Sequence, residues 1–193
     1  MASDTRDRLV STTGRLLRRQ GYAATGLNQV MAEADAPKGS MYFHFPGGKE
    51  ELAAAAVDRF ADSVTRKLAE GLQRGPTVAD AIAGFFDAYV TYMERTGYRD
   101  GCAVATVALD EASTHELLGA AAGRALRSWV DVVAAALVAE GRPDEEAHGL
   151  ATVIIATIEG TIVMSKGERS TEPFVAARDT IGRLLTSPAV PAD

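Results

Sequence analysis

Thr25 to Leu52 reads TGLNQVMAEADAPKGSMYFHFPGGKEEL, and the punctuation of this stretch decides the fold. Thr25 can cap a short helix in which Leu27, Val30, Met31 and Ala34 recur at three- and four-residue spacing toward a core. Asp35-Ala36-Pro37 ends that helix, and aspartate is among the few non-glycine residues that tolerate the left-handed backbone a tight turn needs. Proline suits the first position of a helix, so Pro37 can open the next one, running to Phe43 or slightly further.

Two short helices about a three-residue turn make a helix-turn-helix, whose second helix can enter the major groove of DNA. Met41 and Phe45, four residues apart, anchor that second helix, which leaves Lys38, Gly39, Ser40, Tyr42 and His44 on its accessible sides. Lys38 supplies a charge, Gly39 permits close backbone approach, and the Ser40 and Tyr42 hydroxyls can donate to phosphate oxygens. Lys49 opens the following helix nearby.

Outward from this centre, helical periodicity dominates and sustained strand-type alternation is absent. Ser3 or Asp4 can cap a first helix to about Gln20, with Leu9, Thr13, Leu16 and Leu17 on one face and Gly21 as its stop. After the motif, helices are expected over Glu50 to about Gln73, Val78 to Thr96, a short run from Cys102, and Thr114 to Glu140. Asp144 can cap an eighth helix to about Lys166, and Glu172 to Leu185 supplies a ninth. The expectation is an all-α chain of about nine helices: a three-helix DNA-binding bundle over 1–47, a larger domain over 48–187, and a disordered tail over 188–193.

Composition bounds the function. With 47% apolar and 24% charged residues the chain can bury a true core. Its net charge of −6 at first opposes nucleic-acid binding, but the first fifty residues hold seven basic against five acidic side chains, leaving thirteen against twenty-one in the rest. The clearly apolar runs are short of the ~18–20 residues that span a bilayer, no secretory signal is evident, and a single cysteine cannot form an internal disulfide. A cytoplasmic protein is expected. The dispersed His44, His115 and His148 form no metal-ligand spacing, and no phosphate loop, dinucleotide fingerprint or nucleophile elbow is present, so neither metal, cofactor nor catalytic residue is expected. Cys102 reads as a buried small hydrophobe, with an oxidisable sensor as the other reading.

The A-PKGS-Y-HF-KEEL pattern within Thr25 to Leu52 resembles the DNA-binding signature of the TetR family of bacterial repressors. Asp35 stands where that family usually has glycine, Pro37 where a capping Ser or Thr is common, and Pro46-Gly47-Gly48 makes the following link one residue longer. The FPGGKEEL form and Gly101 to Glu111 resemble a subgroup linked with resistance and efflux control. The resemblance implies that Thr25, Lys38, Gly39, Ser40, Tyr42, Phe43, His44 and Lys49 contact double-stranded operator DNA. It also implies a homodimer that presents two recognition helices about 34–36 Å apart to a palindrome-like site, and release by a small-molecule effector.

The apolar face of Ala151, Ile154, Ile158 and Ile162, extended by Ile181 and Leu185, reads either as a dimer interface or as an internal core face. The resemblance favours the interface. Phe86, Tyr89, Met93 and Trp129, with Thr106, Thr157 and Glu159 as polar groups, are candidates to line an apolar effector cavity, against the reading that they simply pack helices. The competing function is a helical small-molecule- or protein-binding dimer that no longer binds DNA.

Overall fold

The computed structural model describes residues 2–37 and 39–186, and among these every regular element is a helix. The elements are α1 (Ala2–Ala24), α2 (Leu27–Glu33), α3 (Ser40–His44), α4 (Gly48–Arg74), α5 (Val78–Thr96), α6 (Ala103–Asp110), α7 (Glu116–Ala139), α8 (Asp144–Glu168) and α9 (Glu172–Thr186). Lys38 and the expected 188–193 tail lie outside the described residues. Among the described residues nine helices stand where about nine were expected, with ends that shift for identifiable reasons.

Gly21 interrupts α1 as anticipated, at φ 77°, a backbone region glycine enters without a Cβ penalty. Thr25 does not cap α2. Gly26 occupies the N-cap, and the Thr25 hydroxyl turns back to donate to the Gly21 carbonyl at 2.6 Å, closing the end of α1. Pro37 does not open α3 directly. Its carbonyl accepts from both the backbone N–H and the hydroxyl of Ser40, and helical geometry begins only there. Pro143, not Asp144, precedes α8, whose first turn carries Asp144, Glu145 and Glu146 at the positive end of the helix dipole. Helix α5 has the expected bounds: Thr77 caps the start by accepting from the Asp80 N–H, and Gly97 ends the helix in the left-handed region.

The chain divides into two compact units. The first comprises residues 1–63 and 100–126, so it holds α1 to α3, the start of α4, α6 and the start of α7. This unit is larger than the 1–47 segment because α6 packs along α1. Its core is built from Leu9, Leu16 and Leu17 of α1, Val30 of α2, Met41 of α3 and Val104 and Val107 of α6. The segment entering α6 is pinned to the end of α1: Gly101 N–H donates to the Arg18 carbonyl at 2.8 Å, and the buried Asp100 carboxylate pairs with Arg19 at 3.3 Å and Arg18 at 3.7 Å.

The second unit, residues 64–99 and 127–193, contains the rest of α4 and α7 with α5, α8 and α9. Here α9 lies against both α5 and α8. Phe174 of α9 stacks on Tyr89 at 5.6 Å and meets Phe86 edge-on at 6.3 Å, a geometry favoured by the ring quadrupoles. Helix α8 is long and apolar enough to meet a membrane-span criterion by length and composition, which the short apolar runs had not suggested. Its Ala151, Ile154, Ile158 and Ile162 are instead buried within the protomer, as in a core helix of a globular protein.

Candidate nucleic-acid interface

A five-residue helix such as α3 cannot stand on its own backbone bonds, because helix nucleation costs more than so short a segment returns. Two anchors hold it. Met41 and Phe45 are 0% and 1% exposed, and burying side chains of this size contributes roughly 1.5–3 kcal/mol each. With those two directed inward, the intervening residues face out: Tyr42 is 63% and Phe43 77% exposed. His44 is half-buried and packs edge-on against Phe43 at 5.0 Å. Gly39 has nothing within 4 Å of where a Cβ would lie, leaving its backbone open to a close approach.

The turn between α2 and α3 is held by a residue that the sequence reading did not single out. Arg8 of α1 donates from Nε to the Ala34 carbonyl at 2.9 Å and from its guanidinium to the Asp35 carbonyl at 3.1 Å, while also pairing with Asp4. Asp35 sits at φ 47°, so the left-handed turn is made by aspartate where glycine would be usual. Beside it Arg15 reaches Glu33 of α2 at 2.6 Å, and Gln29 donates to the same carboxylate at 2.9 Å. These contacts hold the Glu33 carboxyl below its ordinary range, first through the Arg15 hydrogen bond and then through Gln29. A spacing of 26 or 27 residues between Arg8 and its acceptors carries no periodic signal, which is why the pattern of α1 alone could not reveal it.

Helix α4 starts with its own acidic clasp, the Gly47 N–H donating to Glu51 at 2.7 Å. Lys49 follows in the first turn. Its ammonium lies over the Tyr22 ring, 4.2 Å from the centroid, and points at the Ala23 carbonyl at 3.5 Å. Burial pushes the lysine pKa down, and the Glu111 carboxylate pulls against that shift. Tyr22 in turn is pushed up by burial and by the negative charges of Glu50 and Glu111. His115 meets the Tyr22 ring edge-on at 5.3 Å, and its Nδ1 lies 3.0 Å from Glu111.

The expected DNA contacts thus separate into two groups. Gly39, Ser40, Tyr42, Phe43, His44 and Lys49 gather at α3 and the start of α4, in one compact unit. Thr25 departs from the expectation: it is buried at 2% exposure and its hydroxyl is spent on α1.

This construction coincides with what comparison finds. Residues 9–56 match the family described as "Bacterial regulatory proteins, tetR family", and residues 78–180 match "Transcriptional regulator LmrA/YxaF-like, C-terminal domain". The chain belongs to the TetR family. Within it, this TetR-family regulator is 34% identical to the HTH-type transcriptional regulator LmrA of Bacillus subtilis over 182 residues, covering 94% of this chain and 97% of that protein. It is also similar to the HTH-type transcriptional repressor NemR of Escherichia coli, at 26% identity over 97% of this chain and 96% of that one. Among solved structures, reduced E. coli NemR superposes with a TM-score of 0.82 at 25% identity, covering 97% and 100% of the two chains. A TetR regulator from Chloroflexus aurantiacus gives 0.80 at 28% identity, with 96% of each chain covered. The protein is accordingly a transcriptional regulator, not an enzyme, and regulators of this family bind operator DNA as dimers under small-molecule control.

The other expected sites of the TetR-family chain are redistributed. Ala151, Ile154, Ile158, Ile162 and Ile181 are fully or almost fully buried in the protomer, and Leu185 is half-buried. The more apolar side of the helix thus turns toward its own protomer, the core reading that the periodicity left open. The opposite side of α8 presents Gly149, Val153, Ala156, Gly160, Val163 and Gly167, all exposed and spaced alternately by four and three residues. Of the cavity candidates, Phe86, Met93 and Trp129 are buried in the second unit, and Tyr89, Thr157 and Glu159 are half-buried there. Thr106 is not with them. It belongs to the first unit, and its hydroxyl donates to the Cys102 carbonyl at 2.8 Å. Cys102 itself is buried as the N-cap of α6, accepting from the Ala105 N–H. Among the described residues no His/Cys/Asp/Glu group is arranged to hold a metal ion.

Proposed function

We propose that this chain is a cytoplasmic repressor that binds a palindrome-like operator as a homodimer, contacts it through α3 and the first turn of α4, and is released by a small apolar or aromatic effector. The observation that carries the DNA reading is the inversion of exposure within α3, where Met41 and Phe45 are sealed while Tyr42 and Phe43 stand in solvent. Anchoring one side of so short a helix presents its other side rigidly to solvent, and there Ser40, Tyr42, His44 and Lys49 offer donors suited to phosphates and base edges.

Subunit pairing is supported by the exposed α8 stripe, whose small residues Gly149, Ala156 and Gly160 allow a second helix to approach closely. Release is supported by the aromatic cluster of Phe86, Tyr89 and Phe174 with Met93 and Trp129 in the second unit, side chains of the kind that surround apolar ligands. The effector must bind the non-operator geometry better, since only differential affinity shifts a population. Functionally the chain then divides at about residue 47 into DNA-binding and effector-binding parts.

The test is salt-dependent binding of the purified protein to duplex fragments from its own gene neighbourhood, beside Tyr42→Ala and Lys49→Ala. Site-selective binding is expected to weaken in both variants, with the Lys49→Ala salt slope smaller by about one. Binding no better than to shuffled duplex would instead favour the dimeric sensor without a DNA target, a reading that the small net basicity of the N-terminal fifty residues keeps in play.

A further inference from the structure

Lys49 occupies an electrostatically awkward place. A cation in the first turn of a helix faces the positive end of the helix dipole, where anions belong and where Glu50 and Glu51 already sit. Three side chains of the first unit, Glu111, His115 and Tyr22, gather around it. Glu111, the C-cap of α6, lies 3.0 Å from His115, His115 meets Tyr22 edge-on, and the face of Tyr22 carries the Lys49 ammonium at 4.2 Å. The electron-rich face of the ring stabilises the cation, and the partly buried setting strengthens that attraction. The same first turn of α4 is where a phosphate would be welcomed by helix N–H groups.

Resting on the DNA-binding reading above, we propose that Tyr22 is a positioning residue that aims Lys49 at a backbone phosphate, and that Glu111, braced by His115 beside the same ring, is the nearby anion whose charge opposes the phosphate. Tyr22 limits the rotamers of a long, flexible side chain before DNA arrives, so less of its freedom is lost on binding. Glu111 opposes binding, because its negative charge favours the lysine in its resting position and repels an incoming phosphate. The two residues therefore act on affinity with opposite signs through one ammonium group.

The experiment uses the full chain with two duplexes of equal length, one from the upstream region of its gene and one shuffled, at several salt concentrations. Tyr22→Leu should weaken binding and lower the salt slope by about one, as Lys49→Ala does, and the two together should be no worse than either. Tyr22→Phe, which keeps the ring, should bind as wild type. Glu111→Gln keeps an acceptor for His115 without the charge, and should tighten binding about two- to fivefold, a gain that disappears in the Lys49→Ala background. In the DNA-free protein, the Lys49 side-chain carbon and proton resonances should lose their ring-current shift in Tyr22→Leu and keep it in Tyr22→Phe.

Additive losses from Tyr22→Leu and Lys49→Ala, a Glu111→Gln gain that survives without Lys49, or a Lys49 resonance indifferent to the ring would each overturn the assignment. Equal binding of the two duplexes would defeat operator recognition alone. The mutant cycle on the shuffled duplex and the resonances of the free chain still decide the roles of Tyr22 and Glu111.

Discussion

At the scale of single residues, the most consequential side chain outside the recognition surface is Arg8. One guanidinium satisfies two main-chain carbonyls at the end of α2 and in the turn. Arg8→Ala is expected to destabilise the protein by about 1–2 kcal/mol, because two carbonyls lose charge-assisted partners, and thermal denaturation would register this as a drop of about 2–4 °C for each kcal/mol. Its contact with Asp4 is solvent-exposed and adds little. An Arg8→Ala protein melting with wild-type stability would mean that the turn holds itself. Legibility at this scale was uneven. The positive φ of Asp35 was readable from residue type, as were the buried anchors Met41 and Phe45 from their spacing. The destination of the Thr25 hydroxyl was not, since an N-cap and a bond back to the preceding helix use the same side chain and differ only in where the chain bends.

Elements were legible where their ends carry chemistry. Thr77 and Gly97 bracket α5 at the expected positions, whereas α3 starts later than Pro37 because the proline carbonyl is taken by Ser40. Pairing between elements was not legible, since the Arg15–Glu33 contact joins α1 to α2 over 18 residues without a repeat to announce it. It has a measurable signature. The Glu33 pKa is lowered in the folded protein, so the pair stabilises above the ordinary glutamate range, and that contribution is lost as pH falls through the depressed value. Titration followed by the Glu33 carboxyl carbon should show ionisation at lower pH than an unfolded glutamate, and Arg15→Ala should move it back up. An unmoved midpoint in Arg15→Ala would remove Arg15 as the cause. The role of the apolar α8 face stayed open in the sequence for a related reason: a helix with an apolar side and a small-residue side gives the same period for both, and only the packing of α9 against α8 tells which is inside.

For the whole molecule, the exposed α8 stripe yields a clean test of subunit pairing. Gly160 has nothing within 4 Å of a built Cβ, and arginine is a better helix former than glycine, so Gly160→Arg should leave the protomer folded. Light scattering should then report one chain mass for the variant and two for wild type; a variant that remains dimeric would place the interface elsewhere. The family could be read from Thr25 to Leu52, because the helix-turn-helix has its own turn chemistry, and the all-helical architecture from the periodicity of the whole chain. The composition of the first unit could not, because Asp100 to Leu126 return to it after an excursion of 36 residues. That return orders events on the ribosome. The DNA-binding end emerges first, yet the Gly101 bond to Arg18 and the Asp100 pairing with Arg18 and Arg19 wait for chain not yet made. At ~5–20 residues per second the nascent α1 to α3 are without α6 for some seconds after they appear. Until then the side of α1 on which α6 packs stands open to water, so a chain truncated before Asp100 would leave that side uncovered.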